Sequence, residues 1–179
     1  MNLRVFACSI WLVGMIGCAS KPPVVYPPLN EDEYRPFAEP GTATITGSSF
    51  LITRGGDIKK GAARQVFLIP ETSFVTGRLD PKDNYYATFD WLGFSGTEPG
   101  TIAKAWRHTR IVVADVEGKF TFTKVPAGKY IVETKLFWQY MSCGFFGCGL
   151  TDTGAVLRSS IEVASGTSQE VQLTSSINR

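Results

Sequence analysis

The sequence predicts an all-β domain of the sandwich type, and three observations support this prediction. Apolar and polar residues alternate with a period of two over several short segments, which is typical of half-buried strands. Turns separate these segments at sandwich-like spacing. No segment shows a sustained helical period. The 179 residues allow one ordinary domain with a tail, and the hydrophobic content of 44% with 19% charged residues is that of a globular protein.

Residues 1–17 are expected to be an export signal. Met1–Arg4 carries one positive charge, and the 13 residues of Val5–Gly17 are apolar apart from Ser9. This run is too short to span a bilayer, which takes about 20 residues. It fits the apolar core of a secretory signal.

The end of this signal, Met15–Cys18, resembles the lipobox of bacterial lipoproteins, in which an apolar residue and two further residues precede an invariant cysteine. The resemblance implies cleavage before Cys18 and lipidation of that cysteine. Several acyl chains anchor a protein stably, whereas one chain binds only marginally. Alanine rather than aspartate at position 19 resembles the outer-membrane destination in Gram-negative cells, with the periplasmic or surface face left open. An uncleaved anchor, or a plain signal with a chance cysteine, is the alternative.

Residues 18–40 are expected to be the lipidated cysteine and a disordered, proline-rich tether. Six of the ten prolines lie between residues 19 and 40. Proline fixes φ and lacks an N–H, so this segment should not join a helix or an inner strand. A polyproline II segment of this length reaches up to about 70 Å. The acidic run Glu31–Glu33 is interpreted as solvated tether; a peptide gripped by a partner is the alternative.

The domain itself is expected to span residues 41–179. The predicted strands, in chain order, are Thr42–Gly47, Gln65–Pro70, Thr109–Ala114, the segment around Phe120 and Phe122, the segment from Tyr130 to Tyr140, and two segments centred on Ile161–Val163 and Val171–Leu173. Ser165 and Gly166 are expected to turn the chain between the last two.

The stretch EGKFTFTKVPAGKYIVE, residues 117–133, is the most informative part of the chain. Its alternation directs four side chains toward one core, namely Phe120, Phe122, Tyr130 and Val132. Gly118 permits the turn that enters the first strand, and Gly128 can take φ > 0 at the tight connection. Pro126 lies outside the ladder, where a missing N–H costs nothing.

This stretch resembles the core motif of carboxypeptidase regulatory-like domains, through Gly118-x-Phe120-x-Phe122-x-x-Val125-Pro126-Ala127-Gly128-x-Tyr130-x-Val132. Other segments fall in the family's order: Thr44–Gly47 as first strand, Ala63–Pro70 as second, and Ile161–Leu173 as final hairpin. The resemblance covers residues 41–72 and 111–174. It implies a seven-stranded, prealbumin-like (Ig-like) sandwich that is non-catalytic and supports folding, binds partners or, in related sandwiches, binds glycans.

Between Glu71 and Arg110 the chain is longer than the family pattern and rich in aromatic residues. These are Phe74, Tyr85, Tyr86, Phe89, Trp91, Phe94 and Trp106. The insertion is interpreted as extra strands or as an added binding surface, because this aromatic content argues against disorder. Each residue is expected first to extend the core. Alternatively, Tyr85, Trp91 and Trp106 form an exposed row that binds sugar or protein.

Cys143 and Cys148 are expected to form a disulfide, because exported proteins meet an oxidising compartment. A hairpin tip at residues 143–148 would place the two cysteines across from each other and present Phe145 and Phe146 together. The two phenylalanines either pack back on the sandwich, which is the favoured expectation, or face a partner or membrane.

The sequence offers little for catalysis, metal binding or nucleic-acid binding. His108 is the only histidine, so zinc or histidine-based chemistry lacks ligands and partners. Thr151–Ala155 resembles the Asp-Thr-Gly motif of aspartic proteases, but Asp152 is better explained by a turn between strands. A net charge of +2 gives no sign of a nucleic-acid partner.

We therefore expect a non-catalytic, lipid-anchored module of the outer membrane that needs no cofactor or metal. Two functions remain open. One is protein interaction or assembly in the cell envelope, and the other is binding of peptidoglycan or a surface polysaccharide. An aspartic-protease-like activity through Asp152 is the third and weakest.

Overall fold

Eight strands form two four-stranded sheets in the part of the chain that the computed structural model describes, residues 26–53, 55–79, 99–145 and 147–176. The strands are β1 Ala43–Ile52, β2 Ile58–Lys60, β3 Gln65–Pro70, β4 Arg110–Val113, β5 Lys119–Val125, β6 Gly128–Gly144, β7 Gly147–Val163 and β8 Ser168–Ser176. The helices are a 3₁₀ helix at Glu31–Phe37, α1 at Ser73–Thr76 and α2 at Pro99–Trp106.

The two sheets confirm the predicted all-β sandwich. In the first sheet, β1 pairs in parallel with β8 on one side and antiparallel with β5 and β2 on the other. The second sheet is antiparallel throughout, in the order β4-β3-β6-β7. The short β2 is the one strand that the sequence did not predict, so the described count is eight where seven were expected.

The expected final hairpin is wrong. β7 lies in the second sheet, whereas β8 pairs with β1 in the first, so the chain crosses between the sheets at residues 164–167. The turn at Ser165 and Gly166 is present. A turn followed by an alternating segment looks the same in sequence whether the next strand pairs locally or crosses over.

The core between the sheets contains the side chains predicted from the 117–133 stretch. Phe120, Phe122, Tyr130 and Val132 are all buried there. Two glycines make the local geometry possible, since φ is 78° at Gly118 and 153° at Gly128. A Cβ at Gly128 would lie 2.5 Å from the Phe37 ring, so the 3₁₀ helix packs directly on this turn.

The second sheet is also buried on its outer face. β3 carries Val66 and Leu68 toward the inner core and Phe67 and Ile69 toward a second apolar cluster. The other members of that cluster are Ile131 of β6, Tyr34 from the 3₁₀ helix, Phe74, Val75 and Leu79 in and after α1, and Ala105 from α2. The fold is therefore a sandwich with an added helical layer over one sheet.

An ion pair on the same face fixes the end of the α1 segment. Glu133 is fully buried, and Arg158, its cross-strand neighbour, lies 2.7 Å away through Nη2. Nη1 of Arg158 donates to the Leu79 carbonyl at 3.2 Å. A buried carboxylate needs such a partner, because unpaired burial of charge is costly.

The expectation of a disordered tether through residue 40 is wrong for the described residues 26–40. Tyr34 is only 3% exposed, and its hydroxyl lies 3.0 Å from that of Thr72. Glu33 accepts hydrogen bonds from the Ser73 N–H at 2.7 Å and the Ser73 hydroxyl at 2.8 Å. Arg78 donates to the Pro27 carbonyl. Proline does disfavour strands and long helices here, but a short 3₁₀ helix that includes Pro36 can still bury Tyr34.

The lowered pKa of Glu33 predicts that the packing of residues 26–40 on the domain depends on pH. The Ser73 N–H, then the Ser73 hydroxyl, lower the pKa of Glu33 below its ordinary value of 4.5. A group with a depressed folded pKa contributes stability that is present above pH 4.5 and lost as the pH falls through the folded pKa. We expect Glu33→Gln to lower the free energy of unfolding at neutral pH by about 0.5–1 kcal/mol, since solvent screens much of this contact.

Urea unfolding of wild type and Glu33→Gln over a series of pH values measures this effect. The two curves should converge below pH 4.5. Glu39→Gln, in the same segment, is the matched control and should follow wild type. A constant offset between wild type and Glu33→Gln at every pH would show that the carboxylate does not hold the segment.

Candidate functional site

The hairpin of β6 and β7 extends well beyond the rest of the sandwich. β6 pairs with β3 only as far as Thr134, but it continues with β7 to the Gly144–Gly147 pair. Every described residue between 139 and 152 is exposed. Six residues per strand, at about 3.4 Å each, give a projection of about 20 Å. We call residues 139–152 the hairpin arm.

One face of the hairpin arm is apolar toward its tip. Met141 lies opposite Leu150, and Cys143 lies opposite Cys148, two positions further along the same face. The two cysteines form a disulfide, as the sequence predicted. Met141 is 62% exposed, Leu150 66%, and Phe145 at the tip 97%. Large apolar side chains grouped in this way on a projecting element are a recognised sign of an interaction surface.

The base of the hairpin arm is held by the sandwich. Trp138 is half-buried against the inner core. Arg64 donates through Nη2 to the Phe137 carbonyl at 2.9 Å, which satisfies one acceptor on the free edge of β6. The hairpin arm is thus a continuation of a packed sheet, which gives the tip a defined position relative to the domain.

A second feature is a cleft of about 300 Å³ between the 3₁₀ helix and the carboxyl end of α2. Six polar or charged side chains line it: Glu31, Tyr34, Arg35, Lys104, Arg107 and His108. We call it the helical cleft. The cleft forms because the amino-terminal segment and α2 both pack on the outer face of the second sheet. Tyr34 and Ala105 lie in the same apolar cluster there.

The charges of the helical cleft are partly paired. Lys104 lies 2.5 Å from a Glu31 carboxylate oxygen, and the hydrogen bond and charge of Lys104 lower the pKa of Glu31. Arg35 pairs with Asp32 at 2.9 Å on the solvent side. Among the described residues, none accepts a hydrogen bond from the Arg107 guanidinium. The His108 ring lies 5.0 Å from the Tyr34 ring, centroid to centroid.

The structure describes some of the site residues that the sequence predicted, and others lie outside the described residues. Phe145 is exposed at the tip, so the favoured expectation that it packs back on the sandwich is wrong. Trp106 is half-buried against the outer cluster, and its ring makes an edge-type contact with the Phe67 ring. It therefore extends the outer cluster. The remaining four, Cys18, Tyr85, Trp91 and Phe146, lie outside the described residues.

The described parts of the 71–110 insertion contain helices α1 and α2 and none of the extra strands that were one of its two interpretations. Phe74 is buried in the outer cluster, which confirms that it extends the core. Sequence reasoning missed the helical cleft, because Arg35, Lys104 and Arg107 are ordinary surface charges until the helices bring them together.

The sequence predicted that Asp152 lies in a connection between strands, and this prediction is wrong. Asp152 is an exposed residue within β7, opposite Gln139. Across the described ranges, no group of three or more His, Cys, Asp or Glu residues is placed to hold a metal ion. No helix among these residues has the length and apolarity required to cross a bilayer.

Comparison with known proteins identifies the fold but not a family. No protein-family model matches the chain, and no curated protein matches it. A crystal structure of a candidate carbohydrate-binding protein from Pseudomonas aeruginosa is similar with a TM-score of 0.66 and 23% identity, over 84% of this chain and 100% of that one. This similarity shows a shared fold.

Two further solved structures align too poorly to indicate a shared fold. The major pilin subunit of Bacillus cereus gives a TM-score of 0.35 and 13% identity, over 76% of this chain and 31% of that one. A 9R-lipoxygenase from Cyanothece gives 0.29 and 12%, over 79% of this chain and 17% of that one.

The Cys143–Cys148 disulfide is expected to fix the tip of the hairpin arm and to add little to global stability. It closes a small loop, with a sequence separation of 5. Such a loop removes less unfolded-state entropy than a 15-residue loop, whose closure stabilises a fold by about 3 kcal/mol. We expect the double substitution Cys143→Ser and Cys148→Ser to lower Tm by only a few degrees. Amide hydrogen exchange at residues 141–150 should rise at least tenfold, while exchange in β3 stays unchanged.

Unchanged exchange at the tip would contradict this role for the disulfide. The double alanine substitution of Met141 and Leu150 is the matched control, because it removes apolar contact and keeps the covalent closure.

Proposed function

We propose that this chain is a non-catalytic binding module that engages a protein partner through the hairpin arm. The observation that carries the proposal is the disulfide-closed tip, with Phe145, Met141 and Leu150 exposed on an element that extends beyond the sandwich. The resemblance of residues 118–132 to carboxypeptidase regulatory-like domains supports the non-catalytic part of the proposal.

The composition of the hairpin arm favours an interface. Only one of its 14 positions, Asp152, is charged, whereas 19% of the whole chain is charged. Cores of protein interfaces are depleted in charged residues and enriched in aromatic residues and methionine. Tyr140, Met141 and Phe145 fit that composition. An apolar surface covered by a partner would also remove the aggregation hazard of leaving these side chains in water.

The same composition favours a protein over a lipid surface. Loops and helices that lie on anionic bilayers carry lysine or arginine next to their apolar residues. The hairpin arm contains no basic residue between positions 139 and 152. Both edges of a two-stranded ribbon also offer backbone donors and acceptors, which a partner strand can use but lipid cannot.

We further propose that the module is held close to the outer membrane through a lipid on Cys18. The lipobox resemblance supports the anchor. Docking of residues 26–40 on the domain leaves eight steps between Cys18 and Tyr26, which span at most about 29 Å. Partners of the hairpin arm are therefore expected near the membrane surface.

Carbohydrate binding is the second candidate function. The structural similarity to a candidate carbohydrate-binding protein supports it only through the fold. The specific observation in its favour is the helical cleft, a concave site of about 300 Å³ with charged and aromatic side chains. Volumes of about 300–1,000 Å³ are usual for small-ligand sites.

A photo-crosslinking amino acid at position 145 tests the proposed protein partner. Introduced in the full chain and irradiated in intact source cells, it should give one discrete protein adduct. Position 116 is the matched control, because Val116 is 81% exposed in the turn between β4 and β5 and lies outside the hairpin arm. We expect the adduct to be absent from position 116. Combining the probe with Met141→Ser and Leu150→Ser should reduce the adduct at least fivefold.

Three outcomes would contradict the proposal: the same adducts from positions 116 and 145, adducts with lipid alone, or an adduct unaffected by the two serine substitutions. Both substituted side chains are more than half exposed, so the variant should keep the Tm of wild type within a few degrees.

A further inference from the structure

The helical cleft combines features that point to a particular class of ligand. We propose that it binds a sugar acid, a hydroxylated small molecule with a single carboxylate. The inference rests on the second candidate function, carbohydrate binding, and names its ligand class. It is independent of the hairpin arm.

The charge balance of the helical cleft favours a monoanion. Three cationic side chains line it, Arg35, Lys104 and Arg107, together with the Glu31 carboxylate. Asp32 does not line the cleft, but it is counted because its carboxylate neutralises Arg35 in an ion pair. The sum is +3 − 2 = +1, with His108 counted as neutral. One carboxylate balances this charge, whereas a phosphate dianion would leave a net negative charge beside Glu31. Since a neutral sugar would leave the cationic excess unmatched, the balance favours a carboxylate over both alternatives.

Arg107 is the group best suited to take the carboxylate. Among the described residues none accepts a hydrogen bond from its guanidinium, and its charge acts on Glu31 across the cleft. Binding of a carboxylate would therefore break no hydrogen bond within the described part of the chain. Arginine presents paired N–H donors in a plane that matches the two oxygens of a carboxylate. Arg35 lines the same cleft and already holds Asp32 at 2.9 Å, so it is a weaker second donor.

Glu31 supplies the complementary acceptor for hydroxyl groups. Lys104 contacts its Oε1 at 2.5 Å and holds the side chain in the cleft. A carboxylate has about four lone-pair positions, so a lysine contact leaves capacity for hydroxyl donors. A charged acceptor beside a charged donor selects ligands that carry both an acid and hydroxyl groups.

The wall behind these charges is fixed, which favours binding without large rearrangement. Tyr34 is buried, and its hydroxyl already bonds to Thr72, so its ring cannot rotate away. The half-buried His108 ring lies against it at 5.0 Å. A preorganised wall lowers the entropy cost of binding. The volume of about 300 Å³ lies at the lower end of the usual range for small-ligand sites, which favours a ligand of one sugar unit.

NMR titration of the full chain measures this binding. D-glucuronate is the probe, with D-glucose and inorganic phosphate as comparisons at equal concentration and ionic strength. We expect saturable shifts of backbone amides in residues 31–38 and 103–109 with glucuronate. The affinity for glucose and for phosphate should be at least fivefold weaker.

Arg107→Gln should weaken glucuronate binding at least fivefold without lowering Tm, because Arg107 is exposed and its guanidinium has no described acceptor. Lys129→Gln, which removes an exposed cation at the start of β6, is the matched control and should bind as wild type. Equal affinity for glucose and glucuronate, or tighter binding of phosphate, would overturn the sugar-acid inference and leave carbohydrate binding or anion binding in its place.

Shifts in the helical cleft that persist unchanged in Arg107→Gln would overturn the assigned role of that residue and the inference with it. No shift with any sugar would reject both the inference and the second candidate function, whereas the crosslinking outcome at position 145 would stand separately.

Discussion

The whole structure depends on the fact that the second sheet is apolar on both faces. Residues 66–70 of β3 are buried without a break. β6 is buried from Tyr130 to Thr134, with Ile131 in the outer cluster and the buried Glu133 paired with Arg158. A sandwich of two sheets covers only one face of each sheet. The other face of this sheet must therefore be covered by helices or loops, and Tyr34, Phe74 and Ala105 provide that cover. At about 1.5–3 kcal/mol for each fully buried large side chain, this second layer is a substantial part of the stability.

Both candidate binding features follow from this constraint. The amino-terminal segment and α2 meet over the outer face, and the gap between them is the helical cleft. β6 continues to pair with β7 beyond Thr134, where its pairing with β3 ends. The hairpin arm therefore projects from a strand that is held at Trp138 and Phe137. The domain is thus a rigid support with two separate surfaces. One is apolar, and we propose that it binds a protein partner. The other is charged and concave, and we propose that it binds a small acid.

The sequence predicted the inner core better than the outer one, for identifiable reasons. Phe120, Phe122, Tyr130 and Val132 alternate strictly, and strict alternation specifies one buried face. β3 also carries apolar residues on its second face, yet such a short run does not reveal what covers it. The 3₁₀ helix of residues 31–37 was not predicted, because the prolines of residues 26–40 argue against strands and long helices. Proline content does not indicate whether a segment packs on the domain, as this one does through Tyr34 and Glu33. The Cys143–Cys148 disulfide was predictable from the expected export of the chain and from the spacing of the two cysteines at a hairpin tip. The helical cleft was not, since its charges come from segments about 70 residues apart, as with Glu31 and Lys104.

The most direct test of the account compares the unfolding of two shortened chains, one beginning at Tyr26 and one at Gly41. Both keep all eight described strands, and they differ only in residues 26–40. Urea unfolding followed by circular dichroism gives the free energy of each. The chain that begins at Gly41 loses Tyr34 from the outer cluster and Phe37 from its contact with Tyr130 at the inner core. It is predicted to be less stable by about 3 kcal/mol or more, and to expose apolar surface of the outer cluster that binds a hydrophobic dye. Equal stability of the two chains, with no added dye binding, would show that residues 26–40 are a tether after all and would contradict the two-layer account.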